Sequence, residues 1–240
     1  MKLYMHPVST ACRPVRLLIA ESGIQCDEEM VDILKGAHYQ EPYVSLNPNR
    51  MVPVLEDGDF RLTEGSAILK YLAEKYDLPA YPKDLKKRAK VNEMMDWLNT
   101  QFYRDFGYGL VYPQLFPHHK RRSDEAHAGA VAWGQQGARN WLQILNDYWI
   151  GPNKAYLCGN ELTIADYFGA GIVSIAGCGA VSHGICVVTV SAANAATPTI
   201  AMAQRMRIGR LLRRAGSAFR RTPGPAAPAP AVNHRDCSVR

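Results

Sequence analysis

The sequence predicts a small α/β unit followed by an all-helical unit, and three observations predict it. Strand, helix, strand, helix, hairpin and helix signals follow one another within residues 1–77. Two long apolar-periodic stretches then occupy most of residues 85–149. Beyond about Ala176 the amino-acid usage changes abruptly and the helical pattern stops. A length of 240 residues allows two ordinary domains, and an apolar share of 47% supplies ample core for a globular body.

The elements can be justified in order. Leu3 to Met5 form a short apolar strand that runs into the polar loop His6 to Thr10. A helix begins near Ala11, with Val15, Leu18 and Ile19 on one side. Asn47 to Gly58 reads as a loop, a short strand opened by Pro53, where a missing N–H is tolerable, and an Asp-Gly turn. Phe60 to Leu62 return as the second strand of that hairpin. Ala67, Ile68, Tyr71 and Leu72 repeat at helical spacing until Pro79 closes the helix. Leu78 to Pro82 is a linker by composition. A helix from Lys86 to about Tyr103 carries Val91, Met94, Met95, Leu98 and Phe102 as its apolar stripe. Another runs from Ser123 to about Trp149, with Ser123 as cap and Asp124 and Glu125 in the first turn. Thr163 and Asp166 form a capping box for a further helix, with Leu162 and Tyr167 as its staple.

Chemistry concentrates at Ser9. It lies beside the first turn of a helix, where unpaired N–H groups and the positive dipole end favour an anion. A serine there either caps the helix or donates to a bound anion, such as a ligand thiolate. Cys12, in Ser9-x-x-Cys12, is a second candidate nucleophile; its place one turn inside, next to the apolar stripe, reads as a core thiol, with redox chemistry the alternative. The aromatic segment Phe102 to Pro113 is either core and helix-end packing or the wall of an apolar pocket. In the second case Tyr108 and Tyr112 line it and Arg104 polarises a leaving group. His118 to Arg122 reads as a solvated interhelix loop, not a metal or nucleic-acid site.

The Ser9 loop, Val52-Pro53 before a strand, and the Thr63-Glu64-x-x-Ala67-Ile68 helix start together resemble glutathione transferases, most closely the theta class and its bacterial relatives. The resemblance runs from Met1 to about Ala176. It implies a thioredoxin-like glutathione-binding domain over 1–77 and an all-helical domain over 85–176, the latter incomplete at its end. It also implies a cis Val52–Pro53 bond and Ser9 as the catalytic hydroxyl, stabilising the glutathione thiolate. The remaining glutathione contacts would be Glu64 to the γ-glutamyl ammonium, the N–H groups of Gly65 and Ser66 with the Ser66 hydroxyl to its carboxylate, and Val52 to the cysteinyl unit. His38 would face the glycyl carboxylate. Two positions depart from the family pattern: Gly65 stands where Ser is usual, and Met51 where Lys or Gln is usual, with Arg50 beside it as a substitute. The implied activity joins glutathione, as co-substrate and without a metal, to a small electrophile, halogenated ones included, as in detoxification. The implied assembly is a homodimer. The alternative is a non-catalytic binding or scaffolding protein on the same fold.

The net charge of +6 belongs to the end of the chain. Residues 176–240 hold nine Arg and one Asp, a balance of +8, so residues 1–175 carry −2. No nucleic-acid or membrane role follows for the enzyme-like body. The 177–240 tail is rich in Ala, Arg and Pro and has three readings: an altered reading frame, a disordered basic arm, or a membrane span over Ile172–Val190. Cys12, Cys26, Cys158, Cys178, Cys186 and Cys237 show no metal or disulfide spacing, and Met1 enters a strand with no leader. Both features point to the cytoplasm.

Overall fold

A computed structural model describes residues 1–175. The expectations for the tail, including its three cysteines, lie outside the described residues, as does nearly all of the Ile172–Val190 span. Among the described residues, no helix is long and apolar enough to cross a membrane.

A four-stranded sheet of order β2-β1-β3-β4 organises the first part of the chain. β1 (Lys2–Met5) pairs in parallel with β2 (Asp27–Met30) and antiparallel with β3 (Val54–Asp57), which turns back into β4 (Phe60–Thr63). The β1–β2 crossover passes through α1 (Cys12–Ser22), as a parallel pair requires. This is a thioredoxin-like arrangement, as expected. Leu3, Val54 and Leu55 are fully buried on the sheet, against Val15 and Leu18 of α1 and Ile68 and Leu72 of α3 (Gly65–Lys75).

β2 carries no apolar alternation. Its sequence is Asp-Glu-Glu-Met and all four residues are exposed. Charge pairs hold this edge strand instead. Glu28 accepts both forks of the buried Arg16 guanidinium, at 2.6 and 2.7 Å, and Glu29 meets Lys2 at 2.9 Å. The helix expected between β2 and the hairpin is only two 3-10 turns, Ile33–Lys35 and Ala37–Tyr39, and a single turn, α2 (Tyr43–Leu46).

The second part is all helical. α4 (Leu85–Trp97) starts one residue earlier than the apolar stripe suggested, because Asp84 caps it by accepting the Lys87 N–H at 2.9 Å. It does not stop near Tyr103. A π-helical stretch, Leu98–Val111, continues it into α5 (Tyr112–Leu115), so the aromatic segment is helix and not a connection. The expected stripe is buried along its whole length, from Val91 to Phe102. α6 (Asp124–Ile144) is capped by Ser123, which accepts the Ala126 N–H at 3.1 Å, and runs on as a π-helical stretch, Leu145–Ile150. α7 (Ile164–Val173) opens with the expected capping box of Thr163 and Asp166.

The long rod and α6 cross at a pair of glycines. A Cβ on Gly134 would sit 2.5 Å from the Gly109 carbonyl carbon and 2.6 Å from its oxygen, both backbone atoms that cannot swing aside. Gly134→Ala therefore forces the helices apart, at a cost of about 1–3 kcal/mol, and urea unfolding should show a lower midpoint. A midpoint unchanged within error would mean that this crossing is not held at that distance.

Candidate active site

Ser9 occupies the loop between β1 and α1. Its N–H donates to the His6 carbonyl at 3.0 Å, its carbonyl accepts the Arg13 N–H at 3.2 Å, and its Oγ accepts the Cys12 N–H at 3.4 Å. The last contact is a long helix cap. A hydroxyl has one proton and two lone pairs, so accepting from Cys12 leaves the Ser9 proton to donate elsewhere. Cys12 itself is fully buried, and burial pushes its thiol up to about 11, above the ordinary cysteine range. A thiol in that state is a core side chain.

The start of α3 comes to the same place. Gly65 is its first residue, and a Cβ there would lie 2.9 Å from the Ala11 carbonyl oxygen. Two helix N-termini thus meet, and the contact explains why glycine stands at this position. Glu64, immediately before it, is exposed and sits at φ 66°, a left-handed conformation that is uncommon for a residue with a side chain. Strain of this kind is retained where the surroundings over-determine it, and functional sites are common among such places. Ser66 follows, half-buried, on the first turn.

A third segment brings Val52. The Val52–Pro53 peptide is cis and both residues are buried, while Arg50 and Met51 are exposed. The loop is pinned through the Met51 carbonyl, which accepts the Tyr43 hydroxyl at 2.6 Å and the Asn47 side-chain amide at 2.8 Å. Sequence reasoning missed both residues. Asn47 opens the loop and Tyr43 lies four residues before it, and nothing local says that they are buried.

His38 lies in the second 3-10 turn, its ring 4.0 Å from that of Tyr39. Its Nδ1 is buried without a hydrogen-bond partner among the described residues. Burial, and then the neighbouring His118, hold the imidazole below its usual range, so it is neutral near pH 7. The nearby His118–His119 turn is less solvated than expected, because His119 is half-buried. Its ring lies 5.7 Å from Tyr108 and 5.5 Å from Tyr112.

The helical rod completes the surroundings. The Tyr112 hydroxyl donates to Thr10 Oγ1 at 3.0 Å, next to Ser9 in the chain, and lies 2.6 Å from the Tyr103 hydroxyl. Tyr108 stacks edge-on against Tyr112 at 5.0 Å, and burial, then Tyr112, raise its phenol above its usual range. Arg104 does not stand free. Asp105, almost fully buried, accepts its Nε at 2.7 Å and Nη2 at 3.1 Å and also accepts the Trp141 indole at 2.6 Å. Arg104 and Tyr108 share a cavity of about 260 Å³ with Gly109, Arg121, Ala130 and Trp133. A second cavity, about 330 Å³ between β2 and α2, holds none of the expected site residues. Among the described residues, no group of three or more His, Cys, Asp or Glu is placed to hold a metal.

Residues 3–80 match the family model described as glutathione S-transferase, N-terminal domain. The chain is 34% identical over 168 residues to human glutathione S-transferase theta-1, covering 69% of each protein. The apo form of human glutathione-S-transferase T1-1 superposes with a TM-score of 0.67 at 28% identity, covering 91% of this chain and 88% of that one. Human glutathione transferase theta-2, solved in complex with glutathione and an unknown ligand, gives a TM-score of 0.65 at 26% identity over 95% of this chain and 93% of that one.

Proposed function

This chain belongs to the glutathione S-transferase family, and on that premise we propose that it is a theta-like transferase in which Ser9 stabilises the glutathione thiolate for attack on a small electrophile. The observation that carries the proposal is the meeting of the α1 and α3 N-termini at Ala11 and Gly65, with Ser9 on one side and Glu64 on the other.

A free thiol has a pKa of about 8.5, and each unit of depression needs about 1.4 kcal/mol of preferential stabilisation of the anion. A hydroxyl donor and a helix N-terminus together supply about two such units. The thiolate sulfur then forms a bond to an electrophilic carbon. The leaving group, a halide in halogenated substrates, departs with the bonding electron pair, and the thiol proton goes to solvent. No protein side chain is covalently modified.

In this proposal the tripeptide is held at its ends. Glu64 takes the γ-glutamyl ammonium, while the Gly65 and Ser66 N–H groups with the Ser66 hydroxyl take the adjacent carboxylate. Val52, held by the turn at Pro53, offers its backbone to the cysteinyl unit. His38 and Arg50 serve the glycyl carboxylate, and a His38 Nδ1 that finds no partner among the described residues supports a ligand there. Arg104, Tyr108 and Tyr112 face the electrophile. Asp105 uses two of the five N–H donors of Arg104, which leaves donors for a leaving group. The proposal takes the glutathione-binding and helical parts as residues 1–77 and 85–176 of a cytoplasmic homodimer, with no metal.

A glutathione titration of the purified protein, read by ultraviolet thiolate absorbance, tests the proposal. Saturable binding with a thiolate signal near neutral pH is expected, and Cys12→Ser should leave both unchanged. Saturable binding without thiolate would favour a non-catalytic binding protein. Loss of turnover in Cys12→Ser, with Ser9→Ala active, would transfer the chemistry to the cysteine.

A further inference from the structure

Side-chain contacts from two places in the helical part reach the Ser9 loop and the helix that follows it. Arg13 donates Nη1 to the Ser174 hydroxyl, just past α7, at 3.0 Å and Nη2 to the Val8 carbonyl at 3.2 Å. Tyr112, more than a hundred residues away in sequence, donates to Thr10 Oγ1. We propose that the Tyr103–Tyr112 hydroxyl pair is a positioning device: through Thr10 it orients the Ser9 hydroxyl towards the bound thiol. The helix that faces the electrophile is thereby coupled to the thiolate the electrophile must meet. The proposal rests on Ser9 being the thiolate donor, as argued above.

Proton counting sets the direction of the chain. Tyr112 has one proton and spends it on Thr10. In the 2.6 Å contact between the two phenols Tyr103 must therefore be the donor. Burial, then Tyr112 and Tyr108, push the Tyr103 phenol far above its usual range, so it keeps its proton at any working pH. With Tyr112 donating to Thr10, the hydroxyl chain runs from Tyr103 through Tyr112 to Thr10.

Thr10 is also the point at which the loop is held from both sides. It is buried, and Gly171 of α7 lies so close to its carbonyl that a Cβ there would be 3.1 Å from the oxygen and would run into the Pro14 ring. Ser9, by contrast, is held at its side chain by Cys12 alone among the described residues, through the long contact to the Cys12 N–H and a contact with its thiol. The direction in which its hydroxyl points thus depends on the loop backbone. Removing the Tyr112 hydroxyl leaves a buried Thr10 hydroxyl without that donor, and the residue beside Ser9 is free to turn.

The test is the pKa of the glutathione thiol in the binary complex, read by thiolate absorbance against pH with no electrophile present. That readout is independent of any packing role of Tyr112 in the electrophile pocket. Tyr112→Phe should raise the bound thiol pKa by about 0.5 to 1 unit, the change expected from one neutral hydrogen bond, while glutathione affinity stays within about twofold. Thr10→Val should do the same, and the double variant should be no worse than either single one. Thr10→Ser keeps the hydroxyl and should restore the wild-type value. If Ser9→Ala raises the thiol pKa but Tyr112→Phe and Thr10→Val do not, the coupling is wrong and the Ser9 reading stands. If Ser9→Ala itself leaves the thiol pKa unchanged, the Ser9 reading falls and takes the coupling with it.

Discussion

Ser9→Ala is expected to lower kcat/KM by about 10²-fold or more, the usual cost of losing one preorganised donor to a developing or bound anion. That factor corresponds to about 2.7 kcal/mol of lost transition-state stabilisation. The bound thiol pKa should rise by about one unit, the hydroxyl's share of the depression, because the helix N-terminus remains, and the pH at which activity reaches half its plateau should rise with it. The same substitution removes the cap contact to the Cys12 N–H. Cap loss alone costs about 0.5–2 kcal/mol of stability with alanine, but only a few tenths with glycine. Ser9→Gly therefore separates the two roles: its urea midpoint should be near wild type while its turnover stays as low as that of Ser9→Ala. Wild-type turnover in either variant would end the Ser9 mechanism, and recovery in Ser9→Gly alone would make Ser9 a cap.

The largest effect on stability is expected from Asp166→Ala. Its carboxylate is buried at the start of α7, where Oδ1 accepts the Leu157 N–H at 2.8 Å. Oδ2 accepts the Thr163 N–H at 2.8 Å and the Thr163 hydroxyl at 2.9 Å. Alanine strands two buried backbone donors, each worth about 1–3 kcal/mol when left unpaired. A total loss of about 3–5 kcal/mol would be a large part of the stability of an ordinary domain. It should appear as a lower urea midpoint with an unchanged slope. Asp166→Asn keeps an acceptor oxygen and should fall between the two. A loss below about 1 kcal/mol in Asp166→Ala would mean that water replaces the carboxylate.

Asp166 and Ser123 were legible in the sequence because a cap is written within four residues: the acceptor side chain and the donor N–H are near neighbours. The stripe from Val91 to Phe102 was legible for a similar reason, since one face of a helix repeats every three or four residues. β2 was not legible as a particular segment. Its four residues are acidic or exposed, and what holds them is Arg16 from α1 and Lys2 from β1. The extension of the α4 rod past Tyr103 was not legible either, because a π-helical turn departs from the 3.6-residue period by which the stripe was read.

The candidate site divides along the same line. Ser9 beside a helix start, a proline opening a strand and Glu64 before a helix are local patterns, readable from neighbouring residues along with the order of most elements and the caps. That the α3 start touches Ala11, that Tyr43 and Asn47 hold the Met51 carbonyl, that Asp105 meets Trp141 while holding Arg104 and that Tyr112 reaches Thr10 all follow from packing between distant segments. The physical reason is the range of the interactions. Propensity, capping and amphipathic period act over one or two turns, whereas these contacts form when distant segments bury their apolar faces together. They leave no periodic trace in the sequence between them.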